Sequence, residues 1–133
     1  MRGAVIKEGA VLDKLKTLGA LDNTIIFFTS DNGGARRFEG IHNSCGEMKG
    51  QKRSMYEGGI RVPCVVVWPG VTQPGTRSDE IIQTSDFYPT LLNQLGIAIP
   101  ADHPVDGMYI TSALGGGPLD RKGIVTYFPS PPP

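Results

Sequence analysis

Apolar and charged residues alternate at helical spacing near the start of the chain. Between residues 4 and 18, valines and leucines recur on one side of a helical projection, with lysines and acidic residues between them. This pattern predicts one amphipathic helix whose apolar face packs on a neighbouring layer. Gly19 follows as a candidate C-cap, and residues 21–23 make a short link to the next apolar run.

Two short apolar runs predict buried strands. Residues 25–29 and 62–68 are rich in β-branched and aromatic side chains, and both runs are too short to span a membrane. A helix, a tight loop and a buried strand form one α/β unit. We therefore expect an α/β fold with helices packed on a mostly parallel or mixed sheet. Both runs belong to that sheet, and the first helix packs on it.

Polar residues and glycines end the first predicted strand, in the order Asp31, Asn32, Gly33 and Gly34. A carboxylate and an amide at the carboxyl end of a strand are oxygen donors, placed where open α/β sheets bind ligands. The same residue types also make ordinary turns. The pair alone therefore indicates a turn more often than a binding site.

Composition excludes several classes of partner. The 133 residues carry 13 basic and 13 acidic side chains. The net charge is therefore zero, and no overall positive potential favours binding to nucleic acid or to an anionic membrane. The two cysteines, Cys45 and Cys64, do not form a disulfide framework or a zinc ligand set. No signal peptide or membrane-spanning run is visible, which predicts a soluble chain.

Three motifs in order resemble the sulfatase family, within the alkaline-phosphatase-like superfamily. They read LDNTIIFFTSDNGG at residues 21–34, KRSMYEGGIRVP at residues 52–63 and VVVWPG at residues 65–70. The segment DFYPTLLNQLG, residues 86–96, is similar to a family helix for which Asp86 is a candidate N-cap. The resemblance implies that residues 1–128 are the C-terminal part of a catalytic domain. Residues 129–133 are a proline-rich tail.

The resemblance also implies a set of site residues. Asp31 and Asn32 correspond to two ligands of a Ca²⁺ (or Mg²⁺) ion, and Lys52 to a catalytic lysine that contacts a sulfate oxygen. The family's other ligands and its formylglycine nucleophile come from an upstream region. Cys45 is followed by Gly-Glu-Met-Lys, which does not match the Cys/Ser-x-Pro-x-Arg motif that sulfatases convert to formylglycine.

Other polar residues near Lys52 have two readings each. His42 and Arg53 are candidate substrate contacts, although a solvated side chain is the more common role for a lone histidine and an equal alternative for the arginine. Glu57 and Arg61 lie four positions apart. We expect them to pair and to hold the loop that carries Lys52, with direct substrate contact as the less common alternative.

Three functions remain open from the sequence. In the first, the chain is a fragment of a sulfatase whose parent hydrolyses sulfate esters. In the second, it belongs to another alkaline-phosphatase-like enzyme, a phosphoester or phosphonate hydrolase. In the third, it is a non-catalytic interaction module. The sequence YEGGIRVP favours the sulfatase. Without the nucleophile, we expect the chain alone to be inactive and to self-associate through exposed apolar surface. The resemblance implies a secreted, periplasmic or lysosomal parent, without deciding among them.

Overall fold

The computed structural model describes residues 2–35 and 43–127, with side chains from Glu8 onward in the first helix. The proposed contact His42 and the proline-rich tail lie outside these residues. The elements, in chain order, are α1 (Arg2–Thr17), β1 (Ile26–Thr29), α2 (Glu57–Ile60), β2 (Cys64–Val67), α3 (Phe87–Gln94) and α4 (Thr111–Leu114). Short 3₁₀ turns at Leu21–Asn23 and Thr84–Asp86 precede β1 and α3. In the described part of the chain, no helix is long and apolar enough to cross a membrane.

The two predicted strands pair with each other, which confirms that they share one sheet. They run antiparallel, with Phe27 opposite Val66 and Phe28 opposite Val65. The α/β class is confirmed, and the antiparallel pair fits the mixed form of the predicted sheet rather than the mostly parallel form. Within residues 2–35 and 43–127 the sheet has these two strands alone.

One face of the sheet carries the hydrophobic core. Trp68, Ile110 and Leu114 are buried together, and Phe27 packs against this cluster. The Phe27 ring lies 4.5 Å from the ring of Phe87 and 6.1 Å from that of Trp68, measured between centroids. Aromatic contacts of this kind add to the free energy of burial. The core therefore joins the sheet to α3 and α4.

The packing predicted for α1 is wrong for the described side chains. The helix contacts the following 3₁₀ turn, and Gly19 ends it in a left-handed conformation with φ +64°, as predicted. However, Val11, Leu12 and Leu18 are 60%, 37% and 63% exposed. Helical periodicity shows which side of a helix is apolar but not what covers it. Here α3 and α4 already cover the packed face of the sheet.

Asp86 is structural, as predicted, and it occupies the N-cap position of α3, but its side chain makes no capping hydrogen bond to that helix. Its buried carboxylate accepts hydrogen bonds from the backbone N–H groups of Gln83 and Met108, at 2.7 and 3.0 Å. Arg121 donates to both carboxylate oxygens, at 2.6 and 2.7 Å. Burial by itself raises the pKa of Asp86, but the hydrogen bonds from Arg121, Gln83 and Met108 outweigh it and lower the pKa. The carboxylate therefore stays charged and links three segments.

Candidate functional site

The loop after β1 carries the first pair of predicted site residues. Asp31 is exposed and Asn32 is half-buried. The Ser30 hydroxyl donates to the carbonyl oxygen of Asn32 at 3.0 Å and lies 3.5 Å from Oδ1 of Asp31. β1 ends at Thr29, so the polar residues follow the strand directly. The strand thus delivers a carboxylate and an amide to one edge of the sheet.

Lys52 and Arg53 form the corner of a tight turn. The Ser54 N–H donates to the carbonyl oxygen of Gln51 at 2.9 Å, and the Ser54 hydroxyl accepts from the Gln51 N–H at 3.1 Å. Arg53, the third residue of the turn, has φ +76°. A positive φ at this position alone is typical of a type II turn, which favours glycine there. Both Lys52 and Arg53 are exposed at the corner.

Two backbone hydrogen bonds join this turn and α2 to the loop after β1. The Gly33 N–H donates to the carbonyl oxygen of Gly59 at 2.9 Å, and the Lys52 N–H donates to that of Gly34 at 2.8 Å. As a result, one open groove of about 1790 Å³ has four of the predicted site residues in its lining, namely Asp31, Asn32, Lys52 and Arg53. Their roles toward a metal or a substrate remain predictions.

The predicted pair of Glu57 and Arg61 is confirmed. Nη1 of Arg61 lies 3.2 Å from Oε2 of Glu57 across one turn of α2, with the two side chains 66% and 61% exposed. An exposed ion pair of this kind contributes at most about 1 kcal/mol. The backbone hydrogen bonds of the two loops, rather than this ion pair, hold the Lys52 turn in place.

The donor set for a metal is of the right chemistry but incomplete. Asp31 and Asn32 supply carboxylate and amide oxygens, whereas Ca²⁺ takes about six to eight oxygen ligands. Among residues 2–35 and 43–127, no three His, Cys, Asp or Glu side chains are grouped so as to hold a metal ion. A cation bound here needs further ligands.

Of the two cysteines, Cys45 lies behind the two loops, whereas Cys64 is one of the residues that line the groove. The Cys45 thiol donates to the carbonyl oxygen of Gly58 at 3.3 Å, behind the two loops. Cys64 is half-buried in β2. Burial raises the pKa of the Cys64 thiol, and a hydrogen bond with the Thr29 side chain opposes that shift only in part. Cys64 therefore remains protonated at neutral pH.

Sequence reasoning missed two polar residues that shape this part of the molecule. Ser54 lines the groove and fixes the Lys52 turn through its hydroxyl. Its position three residues after Gln51 was a usable signal, since serine hydroxyls often bond to nearby backbone in turns. Arg121 gave no such signal, because it lies far from Asp86 in the sequence.

Comparison with known proteins identifies the family. The sequence model of the sulfatase family matches residues 9–97. An uncharacterised sulfatase of Escherichia coli K12, YdeN, is 44% identical over 98 residues, covering 74% of this chain and 17% of that protein. The dog N-acetylgalactosamine-6-sulfatase is 35% identical over 120 residues, covering 90% of this chain and 23% of that protein.

A solved structure agrees in fold. BT4656, in complex with its substrate D-glucosamine-2-N,6-O-disulfate, aligns with a TM-score of 0.66 at 35% identity, covering 84% of this chain and 21% of that protein. The chain thus spans about a fifth of the length of the relatives that it matches. A match over two thirds of the sequence, with the same fold and the same ordered motifs, shows that the chain belongs to the sulfatase family.

Proposed function

We propose that this chain is part of a sulfatase catalytic domain, spanning residues 1–128, and that the parent enzyme hydrolyses sulfate esters. One observation carries the proposal. This chain belongs to the sulfatase family, and two pairs of side chains from separate loops line one groove in it: Asp31 with Asn32, and Lys52 with Arg53. Hydrolysis of a sulfate ester requires a nucleophile and positive charge around the transferring group, and this chain offers groups for the second task.

Lys52 is the proposed contact to a sulfate oxygen, with Arg53 beside it as a second cation. A lysine ammonium binds an anion as a point charge, whereas an arginine can donate two parallel hydrogen bonds to one anion. Both side chains are exposed at the turn, so both can reach a ligand in the groove. His42 is a further proposed substrate contact, and it lies outside the described residues.

Asp31 and Asn32 are the ligands that this chain is proposed to contribute to a Ca²⁺ or Mg²⁺ site. The family implies a metal ion and a formylglycine in the parent enzyme, where the cation supplies charge stabilisation when bound. We propose that the remaining ligands and the formylglycine come from an upstream region. Calorimetry of the 133-residue chain with Ca²⁺ should then show weak binding or none. Tight binding would place the other ligands within this chain.

The substrate class is tested on the full-length parent. BT4656 binds a sulfated sugar, and we propose a sulfate ester as the substrate class here. Aryl sulfate and aryl phosphate esters are compared at equal concentration. A higher kcat/KM for the sulfate supports the proposal, whereas preference for the phosphate indicates a phosphoester or phosphonate hydrolase. Turnover of neither ester indicates an interaction module.

We also propose that the chain alone has no sulfatase activity. Loss of the nucleophile together with much of the electrostatic environment removes both main contributions to the rate. The purified chain is incubated with an aryl sulfate beside its Lys52→Ala variant. Turnover above background that the substitution abolishes would show that the chain is a working enzyme.

Self-association is the last part of the proposal. The sheet face opposite the core exposes Phe28, Val65 and Val67, and exposed apolar surface of this kind favours association. Sedimentation velocity of the chain should show a concentration-dependent dimer or larger species. Val65→Thr should weaken it more than Val11→Thr, which changes an equally exposed valine on α1. Equal effects of the two substitutions would exclude the sheet face.

A further inference from the structure

Glycines lie on both sides of the contact between the two loops of the candidate site. Gly33 and Gly34 belong to the loop after β1, and the buried Gly58 and Gly59 belong to α2. The carbonyl oxygen of Gly59 accepts the Gly33 N–H at 2.9 Å. The Gly34 carbonyl oxygen accepts the Lys52 N–H at 2.8 Å. The loops therefore touch backbone to backbone.

A side chain would not fit at these positions. A Cβ atom on Gly33 would overlap the carbonyl oxygen of Gly58 and lie 2.7 Å from its carbon. A Cβ atom on Gly59 would overlap the carbonyl oxygen of Ser54 and lie 2.8 Å from the Ser54 hydroxyl. Gly33 and Gly59 do not have positive φ angles. Glycine is therefore required here by the closeness of the two backbones, not by an unusual backbone conformation.

Gly59 connects both halves of the site. Its carbonyl group holds Gly33, one residue after Asn32. A Cβ atom added to Gly59 would meet Gln51 and Ser54, the first and last residues of the turn that presents Lys52 and Arg53. The position of this turn relative to the loop after β1 thus depends on contacts that only glycine allows.

We propose that Gly33 and Gly59 are positioning residues, which set the distance between the Lys52–Arg53 turn and the Asp31–Asn32 pair. They act through Lys52 and Arg53, by holding the two loops at a fixed separation. The inference rests on the proposed anion-binding role of Lys52. Displacing a positioned group by about 1 Å can lower the rate of an enzyme about a hundredfold. One added methyl group at this contact requires a displacement of that order.

The test uses Gly33→Ala and Gly59→Ala in the 133-residue chain, with Gly9→Ala and Gly123→Ala as matched controls. A Cβ atom at either control position meets nothing within 4 Å. Amide hydrogen exchange is followed by NMR at Lys52 and at Ile110, whose N–H donates to the Thr90 hydroxyl in the core. Inorganic sulfate is titrated, and its Kd is taken from the amide shifts of Lys52 and Arg53.

We expect both site variants to speed exchange at Lys52 by about tenfold, the loss of one hydrogen bond, with exchange at Ile110 unchanged. We expect the Kd for sulfate to rise at least about fivefold. Both control variants should match the unmodified chain. Faster exchange at Lys52 with an unchanged Kd would overturn the proposal, because the contact would then be structural only.

Ser54→Ala decides the question if the alanine variants unfold, which faster exchange at Ile110 would reveal. This substitution removes the hydroxyl that accepts the Gln51 N–H and adds no volume. It should raise the Kd for sulfate, as the glycine variants do, and an unchanged Kd overturns the proposal.

Lys52→Ala separates the proposed anion site from the proposed positioning role of the glycines. If the unmodified chain binds sulfate no better than Lys52→Ala, the anion site itself fails, and positioning for it fails as well. If Lys52→Ala abolishes binding while the glycine variants bind normally, only the positioning role fails.

Discussion

The first helix and the segment from residue 83 to residue 121, here the C-terminal module, contrast in how they use apolar residues. α1 exposes Val11 and Leu12, and Leu18 just after it is exposed too, whereas the module buries Ile110 and Leu114 in the core beside the sheet. Apolar content alone does not explain this difference. Burial follows from contact with the Phe27 face of the sheet, which the module occupies and the side chains of α1 from Glu8 onward do not.

Buried polar groups also separate the two regions. Asp86 and Thr90 are both 0% exposed, and each satisfies backbone groups of the segment around Met108. The Thr90 hydroxyl accepts the Ile110 N–H at 3.1 Å. The side chains of α1 from Glu8 onward form no comparable network. Their one side-chain hydrogen bond is donated by the Thr17 hydroxyl to the carbonyl oxygen of Asp13. The module is therefore specified by polar pairing as well as by apolar burial.

The largest expected effect comes from breaking the ion pair of the module. Arg121→Ala leaves the buried Asp86 carboxylate without its guanidinium partner, which should lower the free energy of unfolding by about 3–5 kcal/mol. Arg61→Ala, which removes the exposed partner of Glu57, should cost at most about 1 kcal/mol. Urea denaturation followed by circular dichroism measures both. Similar losses in the two variants would contradict the contrast between buried and exposed pairs.

Truncation of apolar side chains should separate the two regions next. Ile110→Ala removes a fully buried side chain and should destabilise the fold by about 2–5 kcal/mol. Leu18→Ala, at an exposed position next to α1, should change stability by no more than about 0.5 kcal/mol. The same denaturation experiment applies. A large loss for Leu18→Ala would show that α1 is packed in solution.

Acid should weaken the module through Asp86. Its pKa is lowered in the folded chain, so the unfolded chain binds a proton first as the pH falls. The stabilisation is fully present above the ordinary aspartate pKa of about 3.9 and is lost as the pH drops through the lower, folded value. Unfolding free energies at pH 6, 4 and 3 measure the trend, with Asp86→Asn as the control. An equal loss of stability in the variant would assign the effect to other carboxylates.

The smallest effect concerns the strained turn of the candidate site. Arg53→Gly relieves a positive φ and should stabilise the chain by up to about 1 kcal/mol, less the added entropy of glycine in the unfolded chain. The same variant should bind inorganic sulfate more weakly, since it loses a cation from the groove. Arg53→Lys keeps the strain and the charge. If Arg53→Gly binds sulfate as well as Arg53→Lys does, Arg53 has no role in anion binding.

Local sequence patterns predicted the elements well. The helix ending near Gly19, the two strands and the helix before Gly96 all appear, because each depends on neighbouring side chains, and each of the two helices is followed by a glycine with positive φ. The ordered motifs also predicted the family, which the match over residues 9–97 confirms. The pair of Glu57 and Arg61 was predictable as well, since residues four apart on a helix are neighbours.

The sequence by itself determined α1, the two strands and α3, together with the glycines that follow the two helices, whereas the one-turn helices α2 and α4 were not predicted. Only the tertiary structure decided that the strands pair antiparallel, that α1 stays largely uncovered, and that Arg121 reaches Asp86. It also decided that Gly59 lies between the two loops of the site. Local preferences depend on residues a few positions apart, whereas the strand pairing, the Arg121–Asp86 pair and the Gly33–Gly59 hydrogen bond join residues more than twenty positions apart. Their partners are chosen by shape and by charge in the folded chain, and one sequence pattern is compatible with many such partners.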